Sequence, residues 1–299
     1  MVRIVFLILN YNNMEETQKC IDSITQTKVL NWEAVIVDNG STDDSYKKME
    51  TLYDDKKNIH LIKSKYNLGF SNGNNLGYKY VRDNLDADFL IVTNNDVLFP
   101  QNDLDVRIKK IYEQYKFHVL GPDIYVRANN VHQSPMMLSF PSLESLKKEL
   151  SMYEHYLNHP ERWVVRRRLQ DIKNKFYQSN SIVKKVYDYL RKKESINYSK
   201  ISHNCCIQGA CIILSKEFLN SEEELFSPAT FLYCEEILLY HKCLKKNYNI
   251  QYNPSVQVWH EDSSTMKKIN SDNLSKAKFT LTHHVAARRI LLENVYEYK

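Results

Sequence analysis

The chain has 299 residues, 43% of them hydrophobic and 26% charged, the proportions of a globular protein with one large domain or two modest ones. Its formal charge of +5 is too mild to argue for nucleic acid as a partner, and no apolar run approaches the roughly 18 residues that cross a bilayer. No signal peptide is expected either: the first apolar run begins after Arg3 and meets polar Asn10 before it gains useful length.

Six cysteines (Cys20, Cys205, Cys206, Cys211, Cys234 and Cys243) lack C-x-x-C spacing and mostly sit among apolar residues. That pattern predicts reduced, buried thiols and no zinc site. The 21 tyrosines and 11 phenylalanines suit core packing or sugar-stacking surfaces.

Residues 4–9 read as a strand closed by Asn10-Tyr-Asn-Asn13, followed by a helix over 15–27 with Cys20, Ile21 and Ile24 on one face. Residues 34–37 form a second strand, followed by Asp38-Asn-Gly-Ser-Thr-Asp43. Gly40 permits a tight turn there, and Ser41, Thr42 or Asp43 can cap a helix running to about Tyr53. Residues 60–63 make a third strand, and residues 67–77 open a helix ending near Asn84. A fourth strand, 89–92, has the length and apolarity of one buried on both faces, and it ends in Asn94, Asn95 and Asp96 before Pro100.

This alternation predicts a parallel sheet with helices on both faces and right-handed crossovers. Three of its four strand ends carry Asn or Asp clusters, which a parallel sheet gathers at the carboxyl edge, where ligands of open α/β sheets bind. The triplet ending in Asp96 suits a hard divalent cation carrying a phosphate, although Asn and Asp are also common at ordinary strand-to-turn junctions. Neither GxGxxG nor GxxxxGK[ST] is present to cradle phosphate on glycine amides. Asp38 instead could accept from a base N–H or a ribose hydroxyl.

Four motifs occur in order: Leu9-Asn-Tyr-Asn12, Asp38-Asn-Gly-Ser-Thr-Asp43, Asn67-Leu-Gly-Phe70 with Gly73-Asn-Asn-Leu-Gly77, and Asn94-Asn-Asp-Val97. On these, residues 3 to about 100 resemble a family 2 glycosyltransferase of the GT-A fold. The Asn-x-Gly-Phe and Gly-Asn-Asn-x-Gly pattern is similar to that of bacterial rhamnosyltransferase-like members. The resemblance implies an α/β chain with a GT-A type, mostly parallel sheet flanked by helices, an inserted basic helical segment and a C-terminal helix. It implies one domain over 1–299, with 1–117 as the nucleotide-sugar half, 142–200 as the insert and 201–299 as the acceptor and catalytic half. Nucleotide-sugar contacts are implied for Asn10, Asn12, Asp38, Asn67, Gly69, Asn75, Asn95 and Asp96. A divalent metal, Mg²⁺ or Mn²⁺, is implied at Asp96; the family's motif is often Asp-x-Asp, and here Asn94 takes the place of the first acid.

Beyond a strand and turn at 119–122, residues 142–193 are dense in Lys and Arg interleaved with apolar side chains. Leu169, Ile172 and Phe176 lie at helical spacing, as do Ile182, Val183, Val186, Tyr187 and Leu190. Two readings stand. The helices pack their apolar faces on the domain and leave basic faces in water, or they form a lid that rests on anionic lipid and admits a lipid-linked acceptor. No nucleic-acid motif accompanies the charge.

Residues 208–214 predict a buried strand, with a helix beginning at Ser215; the resemblance implies that Gly209 and Ala210 lie on the acceptor side. Glu235 and Glu236 head an apolar helix, and adjacent helical residues point in different directions, so the two carboxylates are not expected to share one task. The family's corresponding pair is usually Glu-Asp with the second acid as general base, which implies that role for Glu236 and the first place for Glu235. Residues 256–260 alternate as a strand ending at His260, and the resemblance implies that His260 joins Asp96 at the metal or diphosphate. A long helix over 273–299 carries His283, His284, Arg288 and Arg289, with packing and acceptor contact both open for the histidines.

The expected activity is that of an inverting hexosyl- or rhamnosyltransferase. It would use a nucleotide-diphospho-sugar and a glycan or lipid-linked acceptor in bacterial capsule, exopolysaccharide or cell-wall synthesis. The expected setting is cytoplasmic, with the inner face of the plasma membrane as a peripheral site. A sugar nucleotidyltransferase shares the sheet but should carry a Gly-rich, Lys- or Arg-bearing loop that residues 10–13 do not supply. A catalytically impaired sugar- or lipid-binding scaffold is the other alternative, motivated by Asn94 and the Glu-Glu pair.

Overall fold

The computed structural model describes residues 2–179, 196–261 and 273–296. The helical spacing expected over Ile182 to Leu190 and the basic residues from Lys184 to Lys193 lie outside them. The chain divides into two compact units, residues 1–140 with 198–269, and residues 141–197 with 270–299.

The first unit is built on a sheet of ten strands among the described residues. Its strands are β1 (Ile4–Asn10), β2 (Trp32–Asp38), β3 (Ile59–Lys63), β4 (Phe89–Asn94), β5 (Val97–Leu98), β6 (Val119–Val126), β7 (Val131–His132), β8 (Ser202–His203), β9 (Cys211–Ser215) and β10 (Ile250–His260). The order is β3-β2-β1-β4-β9-β6-β10-β5, with β7 on β6 and β8 on β10. Strands β3, β2, β1 and β4 are mutually parallel, as the alternation predicts, whereas β9 runs antiparallel to both β4 and β6. Since β6 is antiparallel to β9 and β10 is parallel to β6, all three orientations return the ends of β4, β6 and β10 and the start of β9 to one edge.

Both faces of this sheet are covered, because successive strand residues point to opposite sides. In β1, Ile4, Phe6 and Ile8 join one buried cluster with Cys20, Ile21 and Ile24 of α1 (Met14–Gln26) and Met49 of α2 (Ser45–Tyr53). Val5 and Leu7 join the other, with Tyr78 and Val81 of α3 (Gly69–Asn84). The first cluster also takes Ile108 and Ile111 of α4 (Leu104–Tyr115). Of the three residues that could cap α2, Asp43 accepts the Ser45 N–H at 3.0 Å, whereas Ser41 and Thr42 bond Asp38 and Asn12. Gly121 and Pro122 do not form a turn: β6 continues to Val126, and Pro122 sits where the β10 ladder is interrupted between Asn253 and Gln257.

Helix α7 (Lys216–Ser221) is capped by Ser215, and α8 (Glu235–Lys245) buries Leu238, Leu239, Tyr240 and Cys243. All six cysteines are buried thiols.

The second unit packs α5 (Leu143–Asn158), α6 (Pro160–Ser179) and α9 (Asn273–Tyr296) together. Tyr153 is central, with its ring 4.3 Å from His284, 5.7 Å from Trp163 and 4.0 Å from the Arg288 guanidinium. Arg288 and Arg289 pair with Glu149 and Glu154 of α5 at 3.1 and 2.7 Å. Of the stripe for which packing and a lipid-facing lid both stood open, Leu169 and Ile172 are on the surface, 62% and 63% exposed, and Val165 one turn earlier is 57% exposed. Trp163, on another side of α6, makes the contacts. Among the described residues no helix is long and apolar enough to cross a membrane.

Candidate functional site

The carboxyl edge of β1 and β2 is a saturated polar knot. Asn10 and Asp38 are in register on adjacent parallel strands, and Asn10 Nδ2 donates to Asp38 Oδ1 at 2.9 Å. The Ser41 hydroxyl and N–H donate to the two oxygens of the same carboxylate at 2.6 and 3.1 Å. Asp38 is 1% exposed, so these donors replace the water that a buried charge would otherwise need. Asn12, with a left-handed φ of 50°, clasps the Thr42 N–H through its side-chain oxygen at 2.8 Å and fixes the following turn.

The turn after β4 is tied inward and across. Asn95 is buried, and its amide donates to Thr17 Oγ1 and the Asn13 carbonyl, both at 3.1 Å, so it anchors the start of α1. Asp96 points to β10. The Asp96 carbonyl accepts the Glu261 N–H at 3.0 Å, and its carboxylate lies 3.2 Å from His260 Nε2. The other ring nitrogen of His260 meets Gln133 Oε1 at 2.7 Å. An amide oxygen can only accept, so Nδ1 carries the proton there, and the lone pair of a neutral ring faces the carboxylate. Two acceptors at that distance call for a proton or a cation between them. Among the described residues no group of three or more His, Cys, Asp or Glu side chains is placed to hold a metal. One carboxylate and one imidazole, the latter oriented by an amide, nevertheless fit a divalent cation that takes its remaining ligands from phosphate and water.

The third part lies at the start of β9. The Ala210 carbonyl accepts from Asn94 N–H at 2.9 Å and from Thr93 Oγ1 at 3.2 Å, joining the head of β9 to the end of β4. Gln208 Oε1 accepts the Ala210 N–H at 2.6 Å, and the Gly209 N–H donates to Glu236 Oε1 at 3.3 Å. Glu235 is nearly buried, and Thr230 Oγ1 donates to its Oε2 at 3.3 Å. Burial pushes both carboxyls above the usual range; the charge of Glu236 adds to the effect on Glu235, while backbone N–H groups at the helix start, with the Gly209 N–H on Glu236 and the Thr230 hydroxyl on Glu235, oppose it. Tyr233 and Cys234, just before the pair, have φ values of 72° and 66°. Two successive left-handed non-glycine residues cost on the order of 1–3 kcal/mol each, a strain that concentrates where geometry is dictated by function.

A fourth segment closes the circuit. Gly69, at φ 79°, lets the Asn67–Phe70 turn lie against Phe231, and a Cβ there would fall 2.4 Å from the Phe231 carbonyl oxygen. Phe70 N–H bonds that carbonyl, and Asn39 bonds both Asn67 and Gly69. Contacts therefore run continuously from Asp38 through Asn39, Gly69 and Phe231 to the Glu235–Glu236 start. They also run from Asn10 through Thr17 and Asn95 to Asp96 and His260, with Ala210 between. Asn75 is outside this circuit, its amide bonded at both ends to the Phe226 backbone. Sequence reasoning passed over Thr17, Gln133, Gln208 and Thr230; only Gln208, next to Gly209, had a positional signal. A cavity of about 630 Å³ lies elsewhere, between α1 and α2, lined by Met14, Gln18, Asp44, Lys47, Lys48, Thr51 and Leu52.

A sheet of this order, flanked by helices and carrying its polar groups at one carboxyl edge, is the GT-A fold. The chain belongs to glycosyltransferase family 2, whose profile, described as "Glycosyl transferase family 2", matches residues 5–205. It is 30% identical over 130 residues to the low-salt glycan biosynthesis hexosyltransferase Agl10 of Haloferax volcanii, an alignment covering 43% of this chain and 39% of that protein. It is 34% identical over 71 residues to an uncharacterized glycosyltransferase of Haemophilus influenzae, covering 24% of this chain and 22% of the other. It thus spans well under half the length of these relatives. The crystal structure of S. aureus TarS 1-349 shares the fold with a TM-score of 0.50 at 13% identity, over 97% of this chain and 72% of that one.

Proposed function

We propose that this chain is an inverting glycosyltransferase that moves a hexose or rhamnose from a nucleotide-diphospho-sugar to a hydroxyl of a glycan or lipid-linked acceptor. The setting proposed is the building of a bacterial capsule, exopolysaccharide or cell wall. One observation carries this reading: Gly209 and Ala210 connect a half-buried, proton-hungry Glu236 directly to the Asn94–Asp96 turn, which itself meets His260. On this reading the base stands at the head of α8, joined through Gly209 and Ala210 to the turn that carries Asp96.

In this mechanism the Asp38 and Asn12 turn receives the base and ribose, with Asn10 and Asn95 holding that turn and the start of α1 in place. Asp96 and His260 would hold Mg²⁺ or Mn²⁺, which when bound would supply Lewis-acid stabilisation of the leaving diphosphate. Glu236 accepts the proton of the acceptor hydroxyl as its oxygen attacks the anomeric carbon. The bond from that carbon to the diphosphate oxygen breaks on the opposite face, so a single displacement inverts the centre. A base so positioned contributes about 10²–10⁴-fold.

The test is a thermal-shift and product-release screen of uridine, thymidine and guanosine diphosphate sugars with Mn²⁺ or Mg²⁺, before and after EDTA. A true donor raises the melting point by linkage and releases nucleoside diphosphate only with metal. Binding without release would support the impaired scaffold, and no donor binding at all would sink the reading. The peripheral-membrane setting is supported by α6, whose exposed Val165, Leu169 and Ile172 run beside Arg162, Arg166 and Arg168.

A further inference from the structure

At the edge where β6 and β10 end, side chains from four segments meet around a buried carboxylate that the transfer step does not use. Asp123 of β6 is nearly buried; its Oδ2 accepts from Gln257 Nε2 at 2.9 Å, and its Oδ1 accepts from His132 Nδ1 at 2.7 Å. The carboxylate thus fixes the ring orientation of His132, whose side chain is 35% exposed, with Nε2 left for another partner. Tyr198 stacks on that imidazole at 5.0 Å and 14°, and Tyr125 flanks it at 5.1 Å. Both tyrosines are half-buried, and the Tyr198 carbonyl is tied to the Tyr252 hydroxyl at 2.6 Å. Asp123 and Tyr125 alternate onto the same sheet face, and their register partners on β10 are Gln257 and Trp259.

The strip that follows His132 leads to the proposed chemistry. Gln133 bonds His260, and Ser134 Oγ accepts the Gln208 N–H at 3.5 Å, one residue before Gly209. Strand β6 is also the antiparallel neighbour of β9, the strand that begins just after Gly209 and Ala210. Aromatic faces beside an oriented imidazole suit a pyranose, whose C–H face packs on rings and whose hydroxyls bond to polar atoms.

We propose that His132, Tyr198 and Tyr125, organised by Asp123, form a carbohydrate subsite that holds a pyranose ring of the acceptor glycan beside the hydroxyl activated by Glu236. The inference rests on the sugar-transfer reading and names the acceptor class: a hydroxyl-rich saccharide held by stacking, not by ion pairing.

The experiment uses the full chain and saturation-transfer NMR with a panel of methyl hexopyranosides and their disaccharides. The wild type transfers saturation to the sugar C–H protons. Tyr198→Ala, in a loop outside the sheet, weakens sugar affinity roughly tenfold or more, whereas Tyr198→Phe retains it. His132→Ala weakens it too, and the nucleotide-sugar thermal shift stays unchanged in all three. Absence of saturation transfer in the wild type, or full transfer in Tyr198→Ala, overturns the subsite. Loss of the donor shift in the wild type overturns the transferase reading instead, so the two failures are separable.

Discussion

Gly209 and Glu236 meet so closely that the missing glycine side chain is part of the contact. The Gly209 N–H donates to Glu236 Oε1 at 3.3 Å, while a Cβ on Gly209 would stand 2.9 Å from that oxygen and 3.2 Å from Glu236 Cγ. The clash is with the far end of a flexible side chain, so the carboxylate gives way and the backbone stays. Gly209→Ala should therefore lower kcat by about 10²-fold or more through a displaced base, while the melting point and donor binding change little. Steady-state kinetics beside a thermal melt reads both; unchanged kcat would separate Glu236 from catalysis.

The glutamate pair also sets a pH dependence. Burial raises the proton affinity of both carboxyls, and a general base works only when deprotonated. Turnover should therefore fall on acidification at a pH above the ordinary glutamate range. Glu236→Gln should abolish the dependence together with about 10²–10⁴-fold of the rate, yet keep donor binding. Glu235→Gln should leave one carboxyl and simplify the acid limb to a single step. Stability shifts the opposite way: a raised folded-state pKa favours folding at low pH, and that contribution is lost as pH rises through it. A flat rate profile across the acid range would remove the base assignment.

Much of this was legible because it is local. Short, continuous apolar runs mark β1 to β4 and a one-sided apolar spacing marks α1, and register then obliges Asn10, Asp38 and Asn94 to share an edge. Less local features were not. The antiparallel β9 depends on long-range pairing that no window of sequence reveals. Pro122 reads as a turn residue, yet the interruption in β10 tolerates it within a strand. The burial of Asn10 and Asn95 is equally hidden, since an amide that holds a loop and one that holds a ligand look alike in sequence. Gln133 became visible only once β7 brought it to His260.

Helix α6 offers a test for the membrane setting. Val165, Leu169 and Ile172 lie at i, i+4 and i+7, one exposed stripe with Arg162 and Arg166 on one side and Arg168 on the other. An in-plane helix of that pattern gains from apolar insertion and from anionic headgroups together. The chain should float with phosphatidylglycerol-containing vesicles and much less with phosphatidylcholine alone, and 1 M salt should weaken binding by screening. Leu169→Glu with Ile172→Glu should abolish flotation without lowering the melting point, because neither side chain is buried. Equal binding to both vesicle types, or to wild type and variant alike, would dismiss the surface.

His284 of α9 makes the helical unit acid-sensitive. Its imidazole is pushed down from an ordinary 6.5 to about 3, chiefly by burial and then by the charges of Arg288 and Arg167, with His283 adding to them. Arg288 Nη1 donates to Nδ1 at 2.9 Å, a bond only the neutral ring can accept, and the Tyr153 ring covers it at 4.3 Å. The unfolded chain takes up this proton near pH 6.5, whereas the folded one resists it to about pH 3. Stability should therefore be fully present above the upper value and decline as pH falls through that window. His284→Phe keeps a ring against Tyr153 and removes the titration, so its melting point should fall less between neutral and mildly acid pH than that of the wild type. Equal acid-induced losses in the two proteins would show that His284 does not govern the response.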